Sequence, residues 1–136
     1  ELEEIEVGTG RKLSDGEDLA ILSIGPVGNN VQKAIAERSD LSIAHYDMRF
    51  VKPLDENLLY EVAHKFKNII TVEDGIREGG FGSAVLEWMD DNGYHPNIVR
   101  LGLPDSFVEH GTVGELQQIV GIDADGICKA IDNIVK

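Results

Sequence analysis

The 136-residue sequence is poor in cysteine, with Cys128 alone, and poor in aromatic side chains, with Trp88 its single tryptophan. One cysteine permits no internal disulfide, so the fold needs no oxidising compartment, and a cytoplasmic location is expected. Basic residues are also scarce. Twelve Lys and Arg face 25 Asp and Glu, a formal net charge of −13. The field of such a chain repels phosphate backbones and anionic lipid heads, so no nucleic-acid partner and no membrane partner is expected. No apolar run approaches the roughly 20 residues that cross a bilayer. The opening ELEEIEVGTG lacks the basic-then-apolar order of a secretory signal. Without an initial methionine, the chain reads as a processed product or as a domain cut from something longer.

What remains is a core-forming composition: 42% hydrophobic and 27% charged residues. Domains commonly run to about 100–150 residues, so one domain is expected. Surface scaling buries about two-thirds of the extended chain's area, enough for a core without staples. Five segments read as strands. The first is a weak opener around Ile5, Val7 and residues 11–13; the others are residues 19–24 (LAILSI), 41–46 (LSIAHY), 69–72 (IITV) and 98–101 (IVRL). The second and fourth are almost continuously apolar, as strands covered on both faces are.

Helical stripes lie between them. Asn29 or Asn30 is the expected cap of a helix carrying Val31, Ala34 and Ile35. Leu58, Leu59, Val62, Ala63 and Phe66 follow Pro53, with Asp55 and Glu56 expected in the first turn. Val85, Leu86, Trp88 and Met89 mark a third helix. Thr112-Val113-Gly114-Glu115 reads as a capping box before a fourth, and Ile127, Ala130, Ile131, Ile134 and Val135 mark a last one. Alternation of this kind implies an α/β fold, a mainly parallel sheet with helices on both faces and an antiparallel edge strand at the opener.

Two loops are the candidate sites. Residues 73–83 (EDGIREGGFGS) leave a central strand and enter a helix, where α/β proteins place ligands, and glycines there let backbone N–H groups approach an anion. Glu73, Asp74 and Glu78 oppose an anion, however, and the glycine spacing matches neither a dinucleotide fingerprint nor a P-loop. Tight turn geometry with close helix or subunit packing is therefore preferred over a small ligand. Residues 47–55 (DMRFVKPLD) follow the third strand. Arg49 suits a carboxylate or phosphate clamp; the plainer reading pairs it with Asp47 or an acid across an interface, buries Phe50 and starts a helix at Pro53.

The four histidines, His45, His64, His95 and His110, lie in separate segments with no metal-ligand spacing, so no metal site is expected. Asp105, Ser106 and His110 have the residue types of a hydrolase triad, but Ser106 lacks the glycines of a nucleophile elbow. Trp88 is read as core or interface rather than as a stacking platform. No catalytic residue and no cofactor-binding residue is assigned.

The blocks DMRFVKPLD (47–55), TVEDG (71–75) with GGFGSAV (79–85), LGLPDSFVEHG (101–111) and GIDADGI (121–127) resemble, in order and over nearly the whole chain, the 1-deoxy-D-xylulose-5-phosphate synthase family. The resemblance is to its C-terminal, transketolase-type domain. It implies a three-layer αβα sandwich with a five-stranded mixed sheet ordered 1-3-2-4-5 and strand 1 antiparallel. Residues 1–14 are then the junction from a preceding domain plus the edge strand, and residues 15–136 the domain proper.

The resemblance also implies a parent enzyme, a transferase that joins pyruvate to D-glyceraldehyde 3-phosphate with loss of carbon dioxide, at the entry to non-mevalonate isoprenoid synthesis and to thiamine formation. Its thiamine diphosphate and Mg²⁺ belong to two upstream domains. Asp74-Gly75 here is a lone pair rather than the family's GDG, so this piece is expected to bind neither and to be inactive alone. Its implied partners are those upstream domains and a second subunit, in a homodimer. Arg49, Arg77, Gly79, Gly80, Phe81, Gly82, Ser83, Trp88 and His110 are the candidates for that interface or junction. Two alternatives stay open: an autonomous small-ligand-binding regulatory module, and the matching domain of a 2-oxo acid dehydrogenase beta subunit.

Overall fold

A computed structural model describes residues 7–76, 79–103 and 121–136. The strands are β1 (Arg11–Ser14), β2 (Leu19–Ile24), β3 (Ile43–Asp47), β4 (Asn68–Ile76) and β5 (Asn97–Leu103). The helices are α1 (Gly28–Glu37), α2 (Glu56–Lys65), α3 (Phe81–Asp91) and α4 (Ala124–Ile134). One five-stranded sheet has the order β1-β3-β2-β4-β5, with β1 antiparallel to β3 and the other pairs parallel. This is the order expected from the resemblance, and the weak opener is the antiparallel edge. Ile5 and the helix expected after Thr112 lie outside the described residues.

Central β2 shows why an unbroken apolar run suits this position. Leu19 and Ile21 enter one core with Val31, Ala34, Ile70, Val72, Ile127 and Ile131, beneath α1 and α4. Ala20 and Leu22 enter a second with Tyr46, Met48, Leu59, Val62, Val85 and Met89, beneath α2 and α3. Alternate side chains on a strand point to opposite faces, so a strand covered on both must be apolar at every step. Ser23, near its carboxyl end, is the exception and belongs to the site below.

Several local expectations are corrected. Neither Asn29 nor Asn30 caps α1; Val27 occupies that position, and the Asn30 amide instead donates to the Ile122 carbonyl at 3.0 Å, tying α1 to the entry of α4. Asp55 is the cap of α2 rather than a first-turn residue. It accepts from Leu58 N at 3.1 Å and, with its other oxygen, from Gly10 N at 2.7 Å. That second bond fastens the chain entering β1 to the start of α2. Pro53 follows a cis peptide before the cap and does not start the helix. Phe50 is half-buried, and Met48 fills the core instead. Leu86 faces out from α3 and is 41% exposed.

Trp88 is spent on packing within the chain. Its ring meets Tyr60 edge-on at 4.8 Å and stacks on Tyr94 at 6.0 Å, and its Nε1 donates to Glu56 Oε1 at 2.9 Å. The contacts couple α3 to α2. Trp88→Phe is expected to cost about 1–2 kcal/mol, from the lost bond and the smaller ring. Urea unfolding followed by circular dichroism measures it.

Candidate functional site

The carboxyl ends of β2, β3 and β4 converge with the starts of α1 and α3, and β2 lies where strand order reverses. Open α/β sheets place ligands at such a point. Three local constructions stand there, one after each strand.

The glycine-rich loop after β4 is built around Glu73. This side chain is 4% exposed, and its two oxygens accept from Phe81 N at 2.9 Å and Gly82 N at 2.8 Å. A helix start has N–H groups without helical partners, and an anion is favoured there. The chain supplies that anion from its own strand. Burial raises the Glu73 pKa, while the two N–H groups and the nearby Arg100 pull it down. Around it, Gly79 adopts φ +78°, a conformation in which glycine carries no penalty. Ser83 Oγ accepts from Gly79 N at 3.1 Å and from Arg100 at 2.7 Å. Gly82 lies so close to β4 and β5 that a Cβ would meet Thr71 Oγ1 at 2.5 Å and Arg100 Cγ at 3.2 Å. Gly79 and the cap Gly80 thus lead tightly into α3, whose first turn holds Phe81, Gly82 and Ser83. Arg77 and His110 lie outside the described residues, as do Ser106 and Asp105.

After β3, Arg49 has φ +60°, which L side chains seldom adopt, and its backbone N–H donates to Asp47 Oδ1 at 3.2 Å. The expected side-chain pairing with Asp47 is not made among the described residues; only the main-chain N–H of Arg49 reaches that carboxylate. Among the described residues the Arg49 guanidinium enters no ion pair.

Between β2, β3 and α1 lies a buried polar network that the sequence reading missed. His45 is fully buried; its Nε2 is 2.7 Å from Ser23 Oγ and its Nδ1 2.7 Å from Gln32 Nε2. Burial drives the imidazole pKa down to about 4, against a small upward pull from Asp47, so the ring is neutral at pH 7. The available signal was one polar residue in each of two apolar runs, LAILSI and LSIAHY. Parallel pairing sets Ser23 beside Asp47 and Ile21 beside His45, which brings both polar groups to the α1 face.

The cofactor of transketolase-type enzymes can be tested against these groups. A diphosphate needs unoccupied donors, but the helix start richest in glycine is already filled by the Glu73 carboxylate. Among the described residues no group of three or more His, Cys, Asp or Glu could hold a metal ion. The described residues do not fit thiamine diphosphate with Mg²⁺.

Comparison with known proteins identifies the family. The family model "Transketolase, C-terminal domain" matches residues 8–127. The 1-deoxy-D-xylulose-5-phosphate synthase of Bacteroides thetaiotaomicron is 57% identical over 133 residues, covering 96% of this chain and 21% of that protein. The synthase of Syntrophotalea carbinolica is 42% identical over 136 residues, covering 98% of this chain and 22% of that protein. The chain thus spans about a fifth of the length of these relatives. Among solved structures, a split-gene transketolase, an inactive beta4 tetramer, superposes with TM-score 0.88 at 29% identity, over 98% of this chain and 44% of that one. Transketolase from Leishmania mexicana shares the fold, with TM-score 0.66 at 16% identity over 94% of this chain and 18% of that one. A match over residues 8–127, joined to the observed strand order, places the chain in the transketolase C-terminal domain family.

Proposed function

We propose that the chain works as the C-terminal domain of a 1-deoxy-D-xylulose-5-phosphate synthase, and that it is an architectural part of that enzyme. The observation that carries this reading is 57% identity to such a synthase across 96% of the chain but only 21% of the relative. In it, the parent joins pyruvate to D-glyceraldehyde 3-phosphate and releases carbon dioxide in the cytoplasm. The thiamine diphosphate and Mg²⁺ sit in the two domains upstream. The chain alone binds neither and turns nothing over; its partners are those domains and a second subunit. The Glu73-capped turn supports a scaffold role, since its donors are satisfied internally. The similar split-gene chain, itself an inactive tetramer, is a precedent for a piece without activity. Residues 1–14 are the junction with the upstream part, and Arg49 and the turn at residues 79–83 are candidate contacts with it.

A chimera tests this directly. The B. thetaiotaomicron synthase with its matching segment replaced by this chain is expected to form deoxyxylulose phosphate from pyruvate and glyceraldehyde phosphate. The synthase lacking the segment is expected not to. A chimera that folds and assembles like the parent but is inactive would refute the proposal.

A further inference from the structure

The carboxyl end of α3 carries the single Asn-Gly pair of the sequence, Asn92-Gly93; every other asparagine precedes a residue with a side chain. That pair has a chemistry of its own. The Gly93 amide nitrogen, once deprotonated, attacks Asn92 Cγ; the N–Cγ bond forms, the Cγ–Nδ2 bond breaks, and the side-chain nitrogen leaves as ammonia. Water then opens the cyclic imide at either carbonyl, to aspartate or to isoaspartate. The reaction consumes only water, and glycine favours it because no Cβ shields the attacking nitrogen. Both residues are exposed, and among the described residues nothing lies within 4 Å of where a Gly93 Cβ would stand.

The fold decides what must move first. Asn92 caps α3 with φ −99° and ψ 7°, which turns the Gly93 nitrogen toward the Asn92 backbone N and away from its Cγ. Gly93, at φ +80°, donates to Asp90 O at 3.1 Å, and Tyr94 N donates to Met89 O at 2.8 Å, the paired bonds of a Schellman end. The carboxamide is held as well. Its Nδ2 donates to Trp88 O at 2.8 Å, and its Oδ1 accepts from the Tyr60 hydroxyl, on α2, at 3.2 Å. Ring closure has to break the Gly93 bond and swing the carboxamide off both partners.

Charge works against that hold. Asp90 and Asp91 place two carboxylates at the negative end of the helix dipole, and the last turn of α3 has no basic residue. Helix ends open locally at far less cost than the whole chain unfolds.

We propose that Asn92 is a site of spontaneous deamidation in the folded chain, reached by local opening of the α3 end and restrained by the Tyr60 hydroxyl. The product replaces the donor to the Trp88 carbonyl with a third carboxylate at the same helix end. It therefore weakens the contact between α2 and α3 that Tyr60 and Trp88 make. The site is at the opposite end of α3 from the glycine-rich turn, and it stands whether or not the domain serves the synthase.

Incubation of the folded chain at mildly alkaline pH tests it, with residue 92 followed by peptide mass spectrometry and isoaspartate by enzymatic methylation. Residue 92 is expected to convert ahead of every other asparagine and to give isoaspartate as well as aspartate. Tyr60→Phe is expected to convert about five-fold faster, the equivalent of one hydrogen bond. Glu73→Ala, which destabilises the chain from the other end of α3, is expected to leave the rate unchanged. No conversion in the folded chain while the urea-unfolded chain converts would overturn the proposal, as would an unchanged rate in Tyr60→Phe. Equal acceleration in Glu73→Ala and Tyr60→Phe would also overturn it, because the reaction would then run through the unfolded chain.

Discussion

Glu73→Ala is expected to lower the stability of the chain by about 3 kcal/mol, read as a fall in melting temperature of about 10 °C. The carboxylate is 4% exposed and holds the first two N–H groups of α3 through separate oxygens. Alanine leaves both donors without a partner at a buried helix start, each costing about 1–3 kcal/mol. Part of that loss is offset, because the variant no longer carries a desolvated carboxylate, the burden seen in the raised Glu73 pKa. Glu73→Gln is expected to fall between, since its amide has one oxygen to accept with and turns an NH₂ toward the other donor. Unfolding by urea or heat measures both. An alanine variant within 0.5 kcal/mol of the parent, roughly the size of a neutral surface change, would mean that water serves α3 as well as Glu73 does.

The second large effect is in pH. Unfolded, His45 takes up a proton near its ordinary value of 6.5; folded, it does so only near 4. Between those values the unfolded chain binds more protons, so stability is lost as pH falls through the window, by about 1.4 kcal/mol per unit. From pH 7 to pH 5 the loss from this one group is about 2 kcal/mol. Glu73 works in the opposite sense. Its folded pKa is raised above 4.5, so its contribution declines as pH rises through that higher value. The comparison that isolates His45 is therefore the difference in pH slope between the chain and His45→Gln, because Glu73 is common to both. The imidazole titration, followed directly by its ring resonances, is an independent check that needs no variant. A ring that protonates near 6.5 in the folded chain would contradict the buried, neutral network.

How far the sequence carried is best seen at particular residues. The run LAILSI identified β2 as covered on both faces because only an unbroken apolar strand satisfies two cores, and Leu19, Ala20, Ile21 and Leu22 are all fully buried. Sheet order came from the family resemblance, since periodicity states where strands are and not which of them pair. The cap of α2 was misplaced by one residue because Asp55 suits both a cap and a first turn. Its extended backbone and its bond from Leu58 N decide for the cap. The glycine-rich loop was legible as a tight turn, and its surplus of acid was legible too. That one of those acids fills the helix start is a three-dimensional fact. His45 was weighed only as a metal ligand and set aside. Its partners Ser23 and Gln32 come from two other elements, and nothing in local spacing joins them.

The central claim is that this domain supports thiamine chemistry without holding the cofactor. Calorimetric titration of the chain with thiamine diphosphate and Mg²⁺, beside the full-length B. thetaiotaomicron synthase under the same conditions, tests it most directly. The account predicts saturable binding by the synthase and no binding heat from this chain. Comparable binding by the chain alone would contradict it and would turn attention to the acidic residues Glu73 and Asp74 as metal ligands.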